Sequence, residues 1–165
     1  MPTAGAARPG RSHSGRRRDA PQALAGAEGD IGFPVVAIGA SAGGLDAFRI
    51  LLRALPSNSG MAYILVQHLD PTHPSMLVEL LAPHAAMPLV VAAEGARLEP
   101  DQAYVIPPGR YLTVRDGALR LASPSGGPAV RMPFDLLLTS LAEQCGERAI
   151  GIILSGTGSD GAIGA

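Results

Sequence analysis

A serine set among small residues is the first place in this chain where chemistry is legible. Gly39-Ala40-Ser41-Ala42-Gly43 is a G-x-S-x-G pentapeptide directly after the apolar run Val35-Val36-Ala37-Ile38. In a strand-to-helix connection, small residues let the backbone turn sharply and hold the hydroxyl out of the turn, the arrangement of a nucleophile elbow. The same glycines would also let a helix N-terminus approach a phosphate, so partners must decide between the two. Two further polar segments follow apolar runs: Ala62 to Val66 leads into Gln67-His68, and Ile150 to Leu154 leads into Ser155-Gly156-Thr157-Gly158-Ser159-Asp160-Gly161. If the three runs are parallel strands, the three groups share the carboxyl edge of one sheet, where open α/β folds bind ligands. Ser41 would then attack, His68 would take its proton and return it to the leaving group, and Asp160 would fix the imidazole tautomer and stabilise the imidazolium. The order Ser, His, Asp differs from the Ser, Asp, His order of α/β hydrolases.

Each of these residues also has a plainer role open to it. Ser41 could cap the helix that follows, His68 could be an ordinary loop histidine, and Asp160 could be an N-cap in a Gly-rich turn. His68, Asp70 and His73 could together hold a metal, but their spacing matches no recognised ligand geometry, and Pro71 and Pro74 favour a structural turn. No metal and no cofactor is therefore expected. His84 reads as a helix-end residue, and Asp101, Asp116 and Asp135 read as turn or cap residues.

The elements that must carry these groups are set by periodicity. Pro34 to Ile38 is a continuous apolar strand; Leu45, Phe48, Leu51, Leu52 and Leu55 then recur at helical spacing until Pro56 closes the segment. Met61 to Val66 predicts a second strand, and Ser75 after Pro74 predicts the start of a helix whose Met76, Leu77, Leu80 and Leu81 pack inward. Pro88 to Ala92 and Ala103 to Ile106 predict further strands. Tyr111 to Val114 and Ala118 to Leu121 flank Asp116-Gly117 as a hairpin, an antiparallel element of the sheet. Phe134, Leu137, Leu138, Leu141 and Cys145 predict an amphipathic helix, and Ala149 to Leu154 a further buried strand. This alternation predicts a doubly wound, mainly parallel α/β sheet with an antiparallel hairpin, in three α/β/α layers.

Composition narrows the function classes. The 165 residues suit one domain, and 47% apolar content with a mean hydropathy of +0.22 supplies a packed core. No apolar stretch approaches the ~20 residues needed to cross a bilayer. A net charge of -1 gives no general reason to bind polyanions. All 13 basic residues are arginine, which excludes a Schiff-base lysine, a P-loop lysine and a Ser-Lys dyad within this chain. Cys145 is the only cysteine, so no internal disulfide and no CxxC site exists here, and a reducing cytoplasm is the natural compartment. Residues 1–30 lack any run of large apolar residues and read as a disordered tail; Arg16-Arg17-Arg18 within it has neither aromatic interleaving nor a following apolar region, and so reads as solvated rather than nucleic-acid-binding. Residues 31–165 form the folded domain.

Two other function classes compete with a hydrolase. A nucleotide-binding module would need G-x-G-x-x-G, but Ser41 occupies the second glycine position, and no acidic residue ends the second strand. A catalytically silent interaction domain would keep the fold and lose the activity.

The three segments together resemble the signature segments of CheB-type chemotaxis methylesterases: Val36 to Gly44, Val66-Gln67-His68, and Ser155 to Ala162, with Tyr104-Val105-Ile106-Pro107-Pro108-Gly109 between the second and third. The resemblance runs from about Phe33 to Ala165. It implies hydrolysis of glutamate methyl esters on the cytoplasmic helices of methylated chemoreceptors, with release of methanol, and in many members deamidation of receptor glutamines. It also implies the catalytic roles of Ser41, His68 and Asp160, and backbone N–H groups of Ala42 and Thr157 as donors to the oxyanion. Ala42 stands where classical members carry Thr, Tyr111 where His is common, and Met132-Pro133-Phe134-Asp135 where a Pro-Ser-Val-Asp-like segment is usual. Gln67 to His73 resembles members fused to a downstream CheR-type methyltransferase. A tail of about thirty residues is too short for the regulatory receiver domain of classical members, which needs about a hundred. The family continues past the acidic residue through a further helix and strands, so the domain is expected to be incomplete at its C-terminal end and the isolated chain poorly stable or inactive.

Overall fold

A computed structural model of the chain describes residues 29–40, 44–67, 76–124, 132–155, 160, 161 and 164. The order of elements is β1 (Val35–Ala40), α1 (Gly44–Ala54), β2 (Ala62–Gln67), α2 (Leu77–Leu81), β3 (Leu89–Val91), β4 (Gln102–Val105), β5 (Tyr111–Arg115), β6 (Ala118–Ala122), α3 (Pro133–Cys145) and β7 (Ala149–Ser155). Single 3-10 turns, Ala82–His84 and Gly146–Arg148, follow α2 and α3.

Five of the strands form one parallel sheet in the order β3-β4-β2-β1-β7. Because a parallel sheet has its connections on its faces, its central strands are covered on both sides and read as unbroken apolar runs. β1 shows this directly, with all six residues buried. Alternate side chains go to opposite cores. Val35 and Ala37 of β1 join Ala62, Ile64 and Val66 of β2 beneath α3, with Phe134, Leu137, Leu138, Leu141 and Cys145. Val36, Ile38 and Ala40 join Tyr63 and Leu65 beneath α1 and α2, with Phe48, Leu52, Leu77 and Leu81. The three-layer α/β/α arrangement follows from this division, and the order of the strands reverses at β1.

Three expectations change. The antiparallel pair β5-β6 is a sheet of its own, so the main sheet is wholly parallel among the described residues. Asp116 and Gly117 turn it at φ 53 and 71, the positive pair that suits a two-residue hairpin. Its β5 side is tied to α3, where Ser140 Oγ accepts from Val114 N at 3.1 Å and Gln144 Oε1 accepts from Asp116 N at 2.7 Å. Its β6 side is held by the segment before β4, with Leu119 N donating to Ala96 O at 2.8 Å.

Met76 and Leu80 do not pack inward; they are 62% and 42% exposed. The helix α2 has only five residues, and its one buried stripe is the i, i+4 pair Leu77 and Leu81. The last strand is also less buried than its sequence suggests. Among the described residues β7 pairs only with β1 and lies at the edge of the sheet they form, and Ile150 and Ile153 are 40% and 55% exposed.

Candidate active site at the carboxyl edge of the sheet

The three strands that precede the segments singled out in the sequence are neighbours and end at one level. Ala40, the last residue of β1, pairs with Gln67 of β2 on one side and with Ser155 of β7 on the other. Ser41 and His68 are the next residues in the chain after Ala40 and Gln67. The parallel condition on which a shared site depended is therefore met, and the carboxyl edge of β2-β1-β7 is the crevice beside the point where strand order reverses. The register of β1 with β7 shifts between Gly39 and Ala40, at the strand ends that precede the candidate segments.

Ser41, Ala42, His68 and Thr157 lie outside the described residues, as do Asp70 and His73. Asp160 is described, and its surroundings are specific. Its carboxylate accepts from Phe134 N at 3.1 Å through Oδ2 and from Asp135 N at 2.9 Å through Oδ1. These are amides of the first turn of α3, whose local N-cap residue, Met132, makes no side-chain cap. Pro133 opens this helix, where the missing N–H of proline leaves no donor unsatisfied. Asp160 thus does cap a helix, but it is α3 rather than a helix beginning at its own turn. The partial positive charge at the N-terminus of α3 favours a carboxylate in this position.

The contact is returned. Asp135 is 7% exposed, and its Oδ1 accepts from Gly164 N at 2.7 Å. One residue before it, the Phe134 ring lies between the first and third candidate segments. A Cβ at Gly39 would stand 2.8 Å from Phe134 Cε1, and one at Gly161 would stand 2.7 Å from Cδ1. Gly161 also has φ 96, a conformation that L side chains rarely adopt. Phe134 was foreseen only as a core residue and Asp135 only as a turn or cap residue. The signal available in sequence was their place in the Met132-Pro133-Phe134-Asp135 segment. It does not say which distant turn they touch.

The remaining acidic residues of interest serve turns. Asp101, at φ 60, accepts from Gly60 N at 2.7 Å, and Asp116 forms the hairpin corner. His84 ends the 3-10 turn after α2 and accepts from Arg53 Nε at 3.2 Å through Nδ1.

The fold is that of a doubly wound α/β domain, with the three candidate segments following the carboxyl ends of neighbouring parallel strands. The chain belongs to the CheB methylesterase family, whose family model matches residues 36–165. It is similar to the protein-glutamate methylesterase/protein-glutamine glutaminase 2 of Xanthomonas oryzae pv. oryzae (strain MAFF 311018), at 39% identity over 134 residues, covering 79% of this chain and 37% of that protein. The protein-glutamate methylesterase/protein-glutamine glutaminase of Yersinia pestis bv. Antiqua (strain Antiqua) is 38% identical over 134 residues, covering 79% of this chain and 38% of that protein. The chain therefore spans less than two fifths of the length of these curated relatives. Among solved structures, the catalytic domain of the Thermotoga maritima CheB methylesterase superposes with a TM-score of 0.71 at 27% identity, over 81% of this chain and 73% of that one. No helix among the described residues is long and apolar enough to cross a membrane.

Proposed function

We propose that the chain is a protein-glutamate methylesterase acting on methylated chemoreceptors in the cytoplasm. The observation that carries this reading is the shared register of Ala40 with Gln67 and Ser155 in a chain of the CheB methylesterase family. Ser41 Oγ attacks the carbonyl carbon of a glutamate methyl ester while the His68 imidazole takes its proton. The tetrahedral oxyanion is stabilised by the backbone N–H groups of Ala42 and Thr157. Collapse of that intermediate breaks the bond to the methoxy oxygen, and the imidazolium returns the proton to it, releasing methanol and leaving an acyl-serine. Water, deprotonated by His68, then hydrolyses the acyl-serine, giving the free glutamate and restoring Ser41. Throughout, the Asp160 carboxylate orients His68 and stabilises its protonated form.

The same acyl-serine forms from a glutamine side chain when ammonia leaves in place of methanol. Deamidation therefore needs no further group, in keeping with the double name of the relatives.

Methanol release from a methylated receptor fragment tests the proposal. Hydrolysis is expected from the protein that carries this domain, and its loss when that protein carries Ser41→Ala. Methanol release that survives Ser41→Ala would sink the triad. Nicotinamide or flavin binding without labelling of the serine by a fluorophosphonate would favour a nucleotide-binding module instead.

A further inference from the structure

The bonds between Asp160 and α3 have the logic of a capping box divided between two segments. In a capping box, the N-cap side chain accepts from an amide in the first turn, and an acidic residue at the third helical position reaches back to the N-cap amide. Here the first half comes from Asp160, which accepts from the second and third helical amides, those of Phe134 and Asp135. The third helical position is Asp135, and its carboxylate reaches Gly164 N at 2.7 Å, a donor in the segment that also carries Asp160. Each segment thus supplies a carboxylate that binds the other's backbone.

From this reciprocity we infer that Asp135 is a positioning residue for the reaction, acting through the turn that bears Asp160. The inference rests on the triad reading given above. A cap for α3 alone would not require Asp135, because Asp160 already meets the two amides. What the bond from Gly164 N adds is a second anchor on the far side of Asp160, so the carboxylate is held from its own side chain and from the backbone four residues on. Asp135 is nearly inaccessible to water, so water does not readily replace its Oδ1 as the acceptor for Gly164 N. Loss of that acceptor leaves Asp160 attached to α3 by its side chain, with its backbone less constrained. A misplacement of about 1 Å in a group that orients a catalytic base can lower the rate about a hundredfold.

The rate at which a fluorophosphonate labels Ser41, expressed per folded molecule measured by circular dichroism, reports the activation of the serine without any receptor contact. Asp135→Ala is expected to slow labelling about a hundredfold and to lower kcat for methanol release with KM unchanged. Asp135→Asn keeps an oxygen that accepts from Gly164 N and is expected to label at close to the wild-type rate. Asp135→Ser, too short to reach Gly164 N but small and polar, serves as the second test should the alanine variant not fold, and is expected to be slow. Labelling of folded Asp135→Ala or Asp135→Ser at the wild-type rate overturns the inference, and so does an Asp135→Asn variant as slow as they are. Failure of the triad reading looks different: a wild-type protein that releases methanol is not labelled, or Ser41→Ala is labelled equally.

Discussion

The Phe134 ring occupies the space that any side chain at Gly39 would need, with Cε1 2.8 Å and Cδ1 2.9 Å from the position of a Cβ there. Gly39 is thus required by contact and not only by the turn that its sequence predicts. Gly39→Ala is expected to displace the Phe134 ring and cost about 1–3 kcal/mol by overpacking. A urea melt should show the loss, and Phe134→Leu in the same chain should recover part of it, because residues in contact do not behave additively. A Gly39→Ala chain of wild-type stability would show that the ring moves aside without cost.

Asp160 combines two duties that substitution can separate. Asp160→Asn retains one oxygen for the two α3 amides and loses the charge that favours an imidazolium, and is expected to lower kcat by up to about 10⁴-fold at a smaller loss of stability than full removal of the cap. Asp160→Ala removes the cap as well and is expected to cost a further ~1 kcal/mol of stability. Thermal melts beside methanol release check both. An Asn variant with full activity would reduce Asp160 to a helix cap and favour the silent interaction domain.

Ser140 should matter to the fold and not to the reaction. Its Oγ is the acceptor for Val114 N at 3.1 Å in a buried setting between α3 and the hairpin. Ser140→Ala leaves that N–H without its acceptor, and the expected loss is about 1–3 kcal/mol. Chemical denaturation measures it, with kcat expected to stay at the wild-type value. A loss of kcat in the folded variant would contradict this assignment.

His84 is expected to titrate below its ordinary value of 6.5, because burial disfavours its charged form and Arg53 and then Arg49 add repulsion. The sign follows from linkage: a depressed pKa in the folded state means that the contact between α1 and the 3-10 turn stabilises the fold above pH 6.5 and is lost as pH falls through the folded value. An NMR titration of the imidazole reads the midpoint directly. Arg53→Gln should move it upward, toward 6.5, and a midpoint already above that value in the wild-type chain would overturn the assignment.

Much of the fold was legible because its physics is local. β1 and β2 are covered on both faces, so each appears as an unbroken apolar run, and the Asp116-Gly117 corner announces its hairpin through the conformations only such residues adopt readily. The residues packing α3 inward, Phe134, Leu137, Leu138, Leu141 and Cys145, were readable from spacing alone. What was not legible depends on partners that leave no mark on the neighbouring sequence. An apolar run does not reveal whether its strand is central or at an edge, so the exposure of Ile150 and Ile153 was missed. Met76 and Leu80 suit a helical pattern, but a helix as short as Leu77–Leu81 has too little face to bury them. At the site, the segments that leave adjacent strands were identified from sequence, and their common level follows from the pairing of Ala40. The bonds of Asp160 to Phe134 and Asp135 were not foreseen, because the donors and acceptor are separated by 26 and 25 residues.

The position of β1 between β2 and β7 also bears on when this protein becomes competent. β2 follows β1 after one helix, but the strand on its other flank is more than a hundred residues later in the chain. Pairing over such a separation is slow, because the chain must close a long loop before the contact rewards it. During synthesis, one flank of β1 must wait for residues 149–155 to emerge. Under the proposed roles, Ser41 and His68 are made early and remain without Asp160 until that last pairing. Hydrolysis would then be withheld from nascent forms that lack β7 and Asp160, and the appearance of activity on refolding should coincide with the pairing of β7 with β1 rather than with the formation of the first βα unit.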